Sequence, residues 1–245
     1  AATVWHFDLY RIRLPDEVLE LLAYCAARRV AVVPFGGGSS VVGGVQAHRA
    51  RGQAGVVTLD TTRMDRLVDL DEVSHTATFQ AGIYGPALEE KLAARGYTLG
   101  HYPQSFEFST LGGWIAARGA GQQSNRYGAA AKLLVGARVA TPAGEWVVKP
   151  FPQSAAGPDL NHLIAGSEGV LGVITEATVK IHPIAQARDF VSFLFRTWES
   201  GTEAVRRITQ TELPTATLRL SDVSETHFYS AFHGVLKPSK VQDFA

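Results

Sequence analysis

The stretch Pro34-Phe35-Gly36-Gly37-Gly38-Ser39-Ser40-Val41-Val42-Gly43-Gly44 directly follows the apolar run 30–33. A hydrophobic core has no use for three consecutive glycines, but such a run can turn successive N–H groups inward without steric penalty. Inward N–H groups form a concave anion site, and the hydroxyls of Ser39 and Ser40 add two donors. This stretch alone leaves two interpretations open: a flexible surface turn, or a cradle for a phosphate or pyrophosphate.

Composition narrows the class of protein. The 245 residues are 46% hydrophobic, which suffices for a full core, and Lys+Arg and Asp+Glu both number 23. A chain without net charge lacks the basic footprint of a nucleic-acid partner and offers no polybasic membrane anchor. The single cysteine excludes a disulfide framework, and the eight histidines lack metal-ligand spacing, so we expect no metal.

Hydrophobic periodicity predicts an α+β fold. The helix-then-strand order at 16–33 places the glycine stretch at the carboxyl end of a strand, where α/β sheets bind ligands. Residues 173–181 alternate as a strand with one wet face, on which Glu176 and Lys180 lie. The residue pattern of the sequence changes near 183–188, which predicts a domain boundary there. The other predicted helices are 86–95, 114–118 and 203–210, and the other predicted strands are 56–59, 76–81, 133–140, 145–148, 190–195 and 217–220.

Three further glycine-rich loops lie at 103–114, 119–128 and 166–175. Their hydroxyls, small residues and bare backbone favour a large ligand with a phosphate end and a flat heteroaromatic end. The pattern is neither Gly-x-Gly-x-x-Gly followed by an acid nor Gly-x-x-x-x-Gly-Lys-Ser/Thr. Both the dinucleotide-binding Rossmann fingerprint and the nucleotide-hydrolysing P-loop are therefore excluded.

Residues 34–40, 104–114 and 168–174 together resemble the flavin domain of the vanillyl-alcohol-oxidase or PCMH-type FAD-binding family. Within it, TLGHYPQSFEFSTLGGWIAARGAG and AGSEGVLGVITEATVKIHP are most similar to the alkyldihydroxyacetonephosphate synthase branch. The resemblance covers roughly 16–222. It implies an FAD-binding domain at 1–184, with subdomains of about 1–66 and 67–184, followed at 185–245 by the beginning of an α/β cap domain for the substrate.

The resemblance also implies a set of FAD-binding residues. The first loop would hold the pyrophosphate, the next segments would run along the ribityl and isoalloxazine parts, and the last would complete the cleft. Tyr127 either touches the flavin or closes its own loop. The full set is Pro34, Phe35, Gly36, Gly37, Gly38, Ser39, Ser40, Gln104, Ser105, Ser109, Thr110, Gly112, Gly113, Ala116, Ala117, Arg118, Gly119, Tyr127, Glu168, Gly169, Val170, Leu171, Gly172, Val173 and Ile174.

We expect the FAD to be bound non-covalently. Some relatives link it through a histidine of the first loop, and the matching position here is Gly38. His101 is the nearby candidate for a different covalent link to FAD. The favoured interpretation is that His101 is a polar residue of a loop without such a link.

The implied activity is the exchange of the acyl group of acyl-dihydroxyacetone phosphate for a fatty alcohol through a flavin adduct, a step of ether-lipid synthesis. Arg219 would be a catalytic residue that faces the substrate phosphate or the flavin, against the alternative of a structural ion pair. The tyrosine and histidine acid/base residues of the family would lie beyond Ala245. An FAD-dependent 2-hydroxy-acid dehydrogenase or oxidase is the alternative activity.

For partners, the resemblance implies a small-molecule or lipid-phosphate substrate and no nucleic acid. It leaves open peripheral membrane contact through regions outside this chain and a homodimer. We expect a cytoplasmic location, with membrane association as an open addition.

Overall fold

The computed structural model describes residues 12–151, 153 and 155–233. The chain divides into two compact units, Ala1–Ile184 and Ala185–Ala245. The first unit mixes helices with sheets, which confirms the predicted α+β class. Its helices are α1 (Pro15–Ala27), α2 (Gly85–Ala93), α3 (Leu111–Ala116), α4 (Ser124–Tyr127), α5 (Ala130–Leu133) and α6 (Asn161–Ile164).

The strands of the first unit form three sheets. They are β1 (Val30–Phe35), β2 (Gly55–Asp60), β3 (Leu67–Asp71), β4 (Thr76–Gln80), β5 (Tyr97–Thr98), β6 (Leu134–Thr141), β7 (Gly144–Val148), β8 (Val173–Lys180) and β9 (His182–Pro183). The parallel pair β1–β2 places Phe35 opposite Asp60, so the first glycine loop leaves the sheet at the carboxyl end of β1. The main sheet has the order β3-β4-β8-β6-β7, and β5 pairs with β9.

The main core lies between one face of the five-stranded sheet and helices α2 and α3. Phe79, Ile83, Leu88 and Leu92 are fully buried, and Trp114 of α3 belongs to the same cluster. Leu88 and Leu92 are one turn apart on α2, so the helix buries a single stripe. A smaller cluster joins α1 to Met64 and to Val173 at the start of β8.

The prediction that β8 has one wet face is wrong. Every residue from Val173 to Val179 is buried, and Lys180 alone is exposed. The reason lies in the neighbouring side chains. On the face opposite the main core, Val173 packs with residues of α1, while Arg138 and Thr78 of the adjoining strands shield Glu176 and Thr178. Glu176 tolerates burial because the guanidinium of Arg138 lies 3.6 Å from its carboxylate.

The second unit differs from the sequence prediction in its strands. Between Ala185 and His233 the structure contains helices α7 (Trp198–Gln210) and α8 (Val223–His233) and no strand. The predicted strands at 190–195 and 217–220 are therefore wrong. Phe190 is 91% exposed, and apolar composition alone does not make a strand without a ladder partner.

Helix α7 begins five residues before the predicted start at Glu203. Thr197 accepts a hydrogen bond from the N–H of Ser200, and the Ser200 hydroxyl lies 3.3 Å from the N–H of Thr197. This capping box fixes the start of the helix. A capping box is usually recognised in a sequence by Glu or Gln at the third helical position, and Ser200 takes that place here. Within the described residues, no helix is long and apolar enough to cross a membrane.

Candidate functional site

The first and second glycine-rich loops are in contact. A methyl group on Gly36 would overlap the side chain of Thr110, and one on Gly37 would overlap the carbonyl of Phe108. The two backbones can approach this closely only because both positions are glycine. The first loop therefore lies against the segment that precedes α3.

The fourth loop meets the first from another side. A methyl group on Gly169 would lie 3.2 Å from the Pro34 ring, and one on Gly44 would lie 3.5 Å from Oε2 of Glu168. Residues 34–44 are thus bordered by both 108–110 and 168–169.

Hydrogen bonds from both backbone and side chain join the fourth loop to the end of α3. The N–H of Glu168 donates to the carbonyl of Ala116 at 3.1 Å, and Arg118 Nη1 donates to the carbonyl of Ala165 at 3.1 Å. The N–H of Gly166 adds to this connection by donating to the carbonyl of Ile115 at 3.0 Å. Three segments that are far apart in the sequence form one surface.

The first loop presents free donors. Within the described ranges, the backbone N–H groups of residues 37–40 donate to no protein acceptor, and Gly38, Ser39 and Ser40 are exposed. Gly38 has φ +68°, the left-handed conformation that an N–H nest requires. The arrangement suits an anion that accepts several hydrogen bonds.

Apolar side chains beside these donors stand in solvent. Val41 is 98% exposed and Val170 is 86% exposed. Single exposed hydrophobic residues are ordinary, but a group gathered at converging loops indicates a surface that a ligand covers. The group is Val41, Val42, Phe108, Val170 and Leu171. Sequence reasoning missed Val41, Val42 and Phe108, although two valines after paired serines in a loop were a usable signal.

Some predicted residues have side chains occupied by the fold. Ser109 is buried, accepts from Trp114 Nε1 at 2.6 Å and donates to the carbonyl of Ser105 at 2.7 Å. Thr110 caps α3 by accepting from the N–H of Gly113. Gly112 is packed against Ala81, while Val173 and Ile174 belong to the cores. By contrast, Gln104, Gly113 and Ala117 are exposed, and Ala116, Gly119 and Gly172 are partly exposed.

Two predicted residues hold a strained backbone. Arg118 has φ +51° and Glu168 has φ +47°. A non-glycine residue in this region costs about 1 kcal/mol, and such residues cluster where a ligand is held. Both lie where α3 meets the fourth loop.

Tyr127 packs against residues outside its own loop. A methyl group on Gly100 would overlap the Tyr127 ring, and the ring centroid lies 4.9 Å from that of His182. The interior side of this loop is therefore occupied by protein.

His101 is 1% exposed, and its ring lies 4.8 Å from that of Trp114. Neither ring nitrogen has a hydrogen-bond partner within the described part of the chain. Burial lowers the pKa of His101 to about 4, so the ring is neutral at physiological pH. An imidazole enclosed among apolar side chains is not placed to form a covalent link to a surface ligand.

A partly buried carboxylate, which the sequence analysis did not single out, positions the segment before His101. Glu89 of α2 accepts from the hydroxyl of Thr98 at 2.8 Å and from the N–H groups of Leu99 and Gly100 at 3.1 and 3.2 Å. Burial raises the pKa of Glu89, and these hydrogen bonds oppose the rise. Helix α2 is thereby tied to the entry of the second loop.

In the second unit, Arg219 is ion-paired with Glu225, and its guanidinium carbon lies 5.5 Å from the Tyr229 ring centroid. The side chain is 53% exposed, so about half of its surface remains open to solvent. Within the described residues there is no group of three or more His, Cys, Asp or Glu that could hold a metal ion.

The sequence profile described as "FAD binding domain" matches residues 10–148. The chain belongs to the FAD binding domain family. FAD is accordingly its cofactor, and the family membership predicted from three sequence motifs is confirmed.

Similar proteins place this FAD-binding domain within the family. Alkyldihydroxyacetonephosphate synthase of Dictyostelium discoideum is 39% identical over 225 residues, which cover 92% of this chain and 36% of that protein. A solved alkyldihydroxyacetonephosphate synthase superposes with a TM-score of 0.83 at 37% identity, covering 94% of this chain and 40% of that one. D-lactate dehydrogenase [cytochrome] 1 of Saccharomyces cerevisiae is 31% identical over 210 residues, 84% of this chain and 35% of that protein.

The chain spans about a third of the length of the curated relatives it matches. The residues of the converging loops fit FAD on chemical grounds. Free N–H groups and serine hydroxyls suit a pyrophosphate, and the exposed apolar side chains suit the faces of a flat ring system.

Proposed function

We propose that residues 34–44 bind the FAD pyrophosphate and that residues 104–119 and 166–174 bind the rest of the cofactor. The observation that carries this proposal is the convergence of the three glycine-rich loops around free N–H donors and exposed apolar side chains. The buried groups of Ser109, Thr110, Val173 and Ile174 support the loops from beneath. With His101 enclosed in the interior, we propose non-covalent binding.

We further propose that the protein containing this chain is an alkyldihydroxyacetonephosphate synthase. Its reaction would exchange the acyl group of acyl-dihydroxyacetone phosphate for a fatty alcohol and release a fatty acid. Carbon–oxygen bonds are broken and made with no net oxidation. The 39% sequence identity to the alkyldihydroxyacetonephosphate synthase of Dictyostelium discoideum supports this activity. When bound, FAD would supply an electron-rich ring nitrogen that holds the substrate carbon during the exchange.

The residues of this chain would contribute binding and orientation. The loops hold the cofactor and cover part of its surface from water. We propose that Arg219 binds the substrate phosphate, because a half-exposed guanidinium held by Glu225 and Tyr229 keeps donors free for phosphate oxygens. We place its acid/base partners in the part of the protein that follows residue 245.

Two assays on the whole protein that contains this chain test the proposal. The purified protein should show a flavin absorption spectrum, and denaturation should release the flavin into the supernatant. It should incorporate labelled fatty alcohol into alkyl-dihydroxyacetone phosphate without bleaching the flavin. A protein that takes up no FAD on reconstitution would refute the cofactor site, while FAD uptake without incorporation would refute the synthase activity alone.

An FAD-dependent 2-hydroxy-acid dehydrogenase is the second candidate. The 31% sequence identity to a D-lactate dehydrogenase favours this candidate. Bleaching of the flavin by D-lactate or D-2-hydroxyglutarate under anaerobic conditions would identify this activity, whereas a synthase should leave the spectrum unchanged.

We also propose a domain organisation, a location and an oligomeric state for the protein. Residues 185–245 would begin a substrate-binding cap, and the first unit would comprise two subdomains that meet near residue 66. A cytoplasmic location with peripheral membrane contact would suit a lipid-phosphate substrate, and a homodimer would be tested by sedimentation.

A further inference from the structure

A cavity of about 370 Å³ lies on the face of the main sheet opposite the core. That volume is sufficient for a small ligand. None of its lining residues belongs to the FAD loops. The lining consists of Asp69, Asp71, Ser74, His75, Thr76, Thr78, Val135, Pro150, Thr178, Lys180, Ile181 and His182. We call this cavity the outer groove.

Strand register orders the polar side chains of the outer groove into two rows. The first row runs Asp71, Thr76, Lys180 across β3, β4 and β8, and the second runs Asp69, Thr78, Thr178. Each row therefore begins with a carboxylate on β3. The opposite end, formed by β8 and β9, carries Lys180 and His182.

The basic end contains an unsatisfied group. His182 Nε2 is buried, and no hydrogen-bond partner for it exists within the described residues. Burial lowers the pKa of His182, and the neighbouring Arg126, Lys180 and His75 lower it further. The cationic side chains of Arg126 and Lys180 thus act on this imidazole, and an anion would both pair with the unsatisfied nitrogen and offset that positive charge.

The middle of the outer groove offers a hydroxyl donor. The hydroxyls of Thr78 and Thr178 lie 2.8 Å apart. One proton serves their mutual hydrogen bond, so the other is free to donate to a ligand oxygen.

The acidic end is available for a cation. Asp71 uses Oδ1 to accept the N–H groups of Val73 and Ser74 at 2.8 and 3.0 Å. Asp69 is exposed, and its carboxylate forms no hydrogen bond or ion pair within the parts of the chain that the structure describes. Its carboxylate can therefore pair with an ammonium group.

We propose that the outer groove binds an aminoalkyl phosphate, with the phosphate at Lys180 and His182 and the ammonium at Asp69. The separation of acidic and basic ends selects a zwitterion over a simple anion or amine. The same chemistry occurs in a free metabolite and in a lipid headgroup.

Phosphoethanolamine is the probe for the test, added to the FAD-loaded protein and followed by the imidazole signals of His182 and His75 in NMR spectra. We expect both signals to shift and saturate. Lys180→Gln should weaken binding about tenfold or more, the effect of one charge-assisted hydrogen bond. Lys91→Gln changes an exposed lysine outside the groove and should leave binding unchanged.

Two comparisons distinguish binding of phosphoethanolamine from binding of its phosphate or its amine alone. Asp69→Asn should weaken phosphoethanolamine but not inorganic phosphate, and ethanolamine alone should bind weakly. Vesicles containing phosphatidylethanolamine, with phosphatidylcholine vesicles as control, distinguish a headgroup from a free metabolite. The proposal is overturned if the His182 signal does not move, if Lys180→Gln binds like the wild type, or if phosphate binds as well as phosphoethanolamine. An FAD spectrum that persists in every variant keeps this result separate from the flavin site.

Discussion

Gly37 lies where two loops share one space, because a methyl group there would overlap the carbonyl of Phe108. We expect Gly37→Ala to lower the free energy of unfolding by about 1–3 kcal/mol, the usual cost of overpacking. It should also weaken FAD binding, since the loop must move away from Phe108. Chemical denaturation and FAD titration measure the two effects.

Gly44→Ala is the matched control in the same loop. A methyl group at Gly44 would meet its nearest atoms at 3.5 and 3.6 Å, which is ordinary contact. Equal losses of stability in Gly37→Ala and Gly44→Ala would contradict the close approach described for the first two loops.

His101 makes stability depend on pH. Its pKa is about 4 in the folded chain against an ordinary value of 6.5. The unfolded chain therefore binds a proton in this window that the folded chain excludes, so stability is complete above pH 6.5 and falls as the pH drops toward 4. The shift corresponds to about 3 kcal/mol.

His101→Phe should remove this part of the pH dependence, because phenylalanine fills the site beside Trp114 without titrating. Urea unfolding across the acidic range measures the slope. His162→Gln replaces an exposed histidine and should keep the wild-type slope. An unchanged slope in His101→Phe would show that other groups cause the acid sensitivity.

At the scale of single residues, the sequence was informative about backbone and silent about side-chain direction. The glycine stretch could be interpreted from its composition, since no other residue allows the contact at Gly37. The inward direction of the Ser109 side chain, toward Trp114, could not be predicted from the sequence, because it depends on where α3 packs. The left-handed backbone of Arg118 and Glu168 likewise has no signal in residue type.

Strands β6 and β8 are joined by an ion pair of unequal burial. The side chain of Arg138 is 40% exposed and that of Glu176 is 11% exposed. Arg138→Met would leave the Glu176 carboxylate buried without its counter-charge, which should cost about 1–3 kcal/mol near neutral pH. Urea unfolding of Arg138→Met and of Arg138→Met/Glu176→Gln measures the effect.

The double variant should recover part of the loss, because a neutral amide is easier to bury than an unpaired carboxylate. Glu145→Gln, which removes the more exposed partner of Arg138, should cost no more than about 1 kcal/mol. A double variant less stable than Arg138→Met would contradict the assigned role of Glu176.

Among the elements, periodicity predicted helices α1, α2 and α7 and the central strands, but it missed helix α8 and misjudged the environment of β8. Strand β8 alternates in sequence, yet contacts with side chains of the adjoining strands bury Glu176 and Thr178 on the face predicted to be exposed. Strand β3 was not predicted, because its register shifts between Leu67 and Asp69 and breaks the alternation. The pattern at 190–195 had the composition of a strand and no partner to pair with.

For the molecule as a whole, the proposed FAD contacts all lie in the first compact unit. A ligand that binds only the folded state stabilises what it contacts, by about 2.7 kcal/mol at one hundred times its dissociation constant. We expect FAD to increase amide hydrogen-exchange protection in 34–44, 104–119 and 166–174. Helix α7 should change little, and equal protection of both units would contradict the assignment.

Cys25 is the only cysteine of the chain, and it is 3% exposed on the inner face of α1. Burial also raises the pKa of its thiol, so the reactive thiolate is scarce. A cysteine introduced on any surface loop would consequently be the one thiol here that a maleimide reaches. The chain thus needs no background substitution before spin or fluorophore labels are attached to measure distances between the loops with and without flavin.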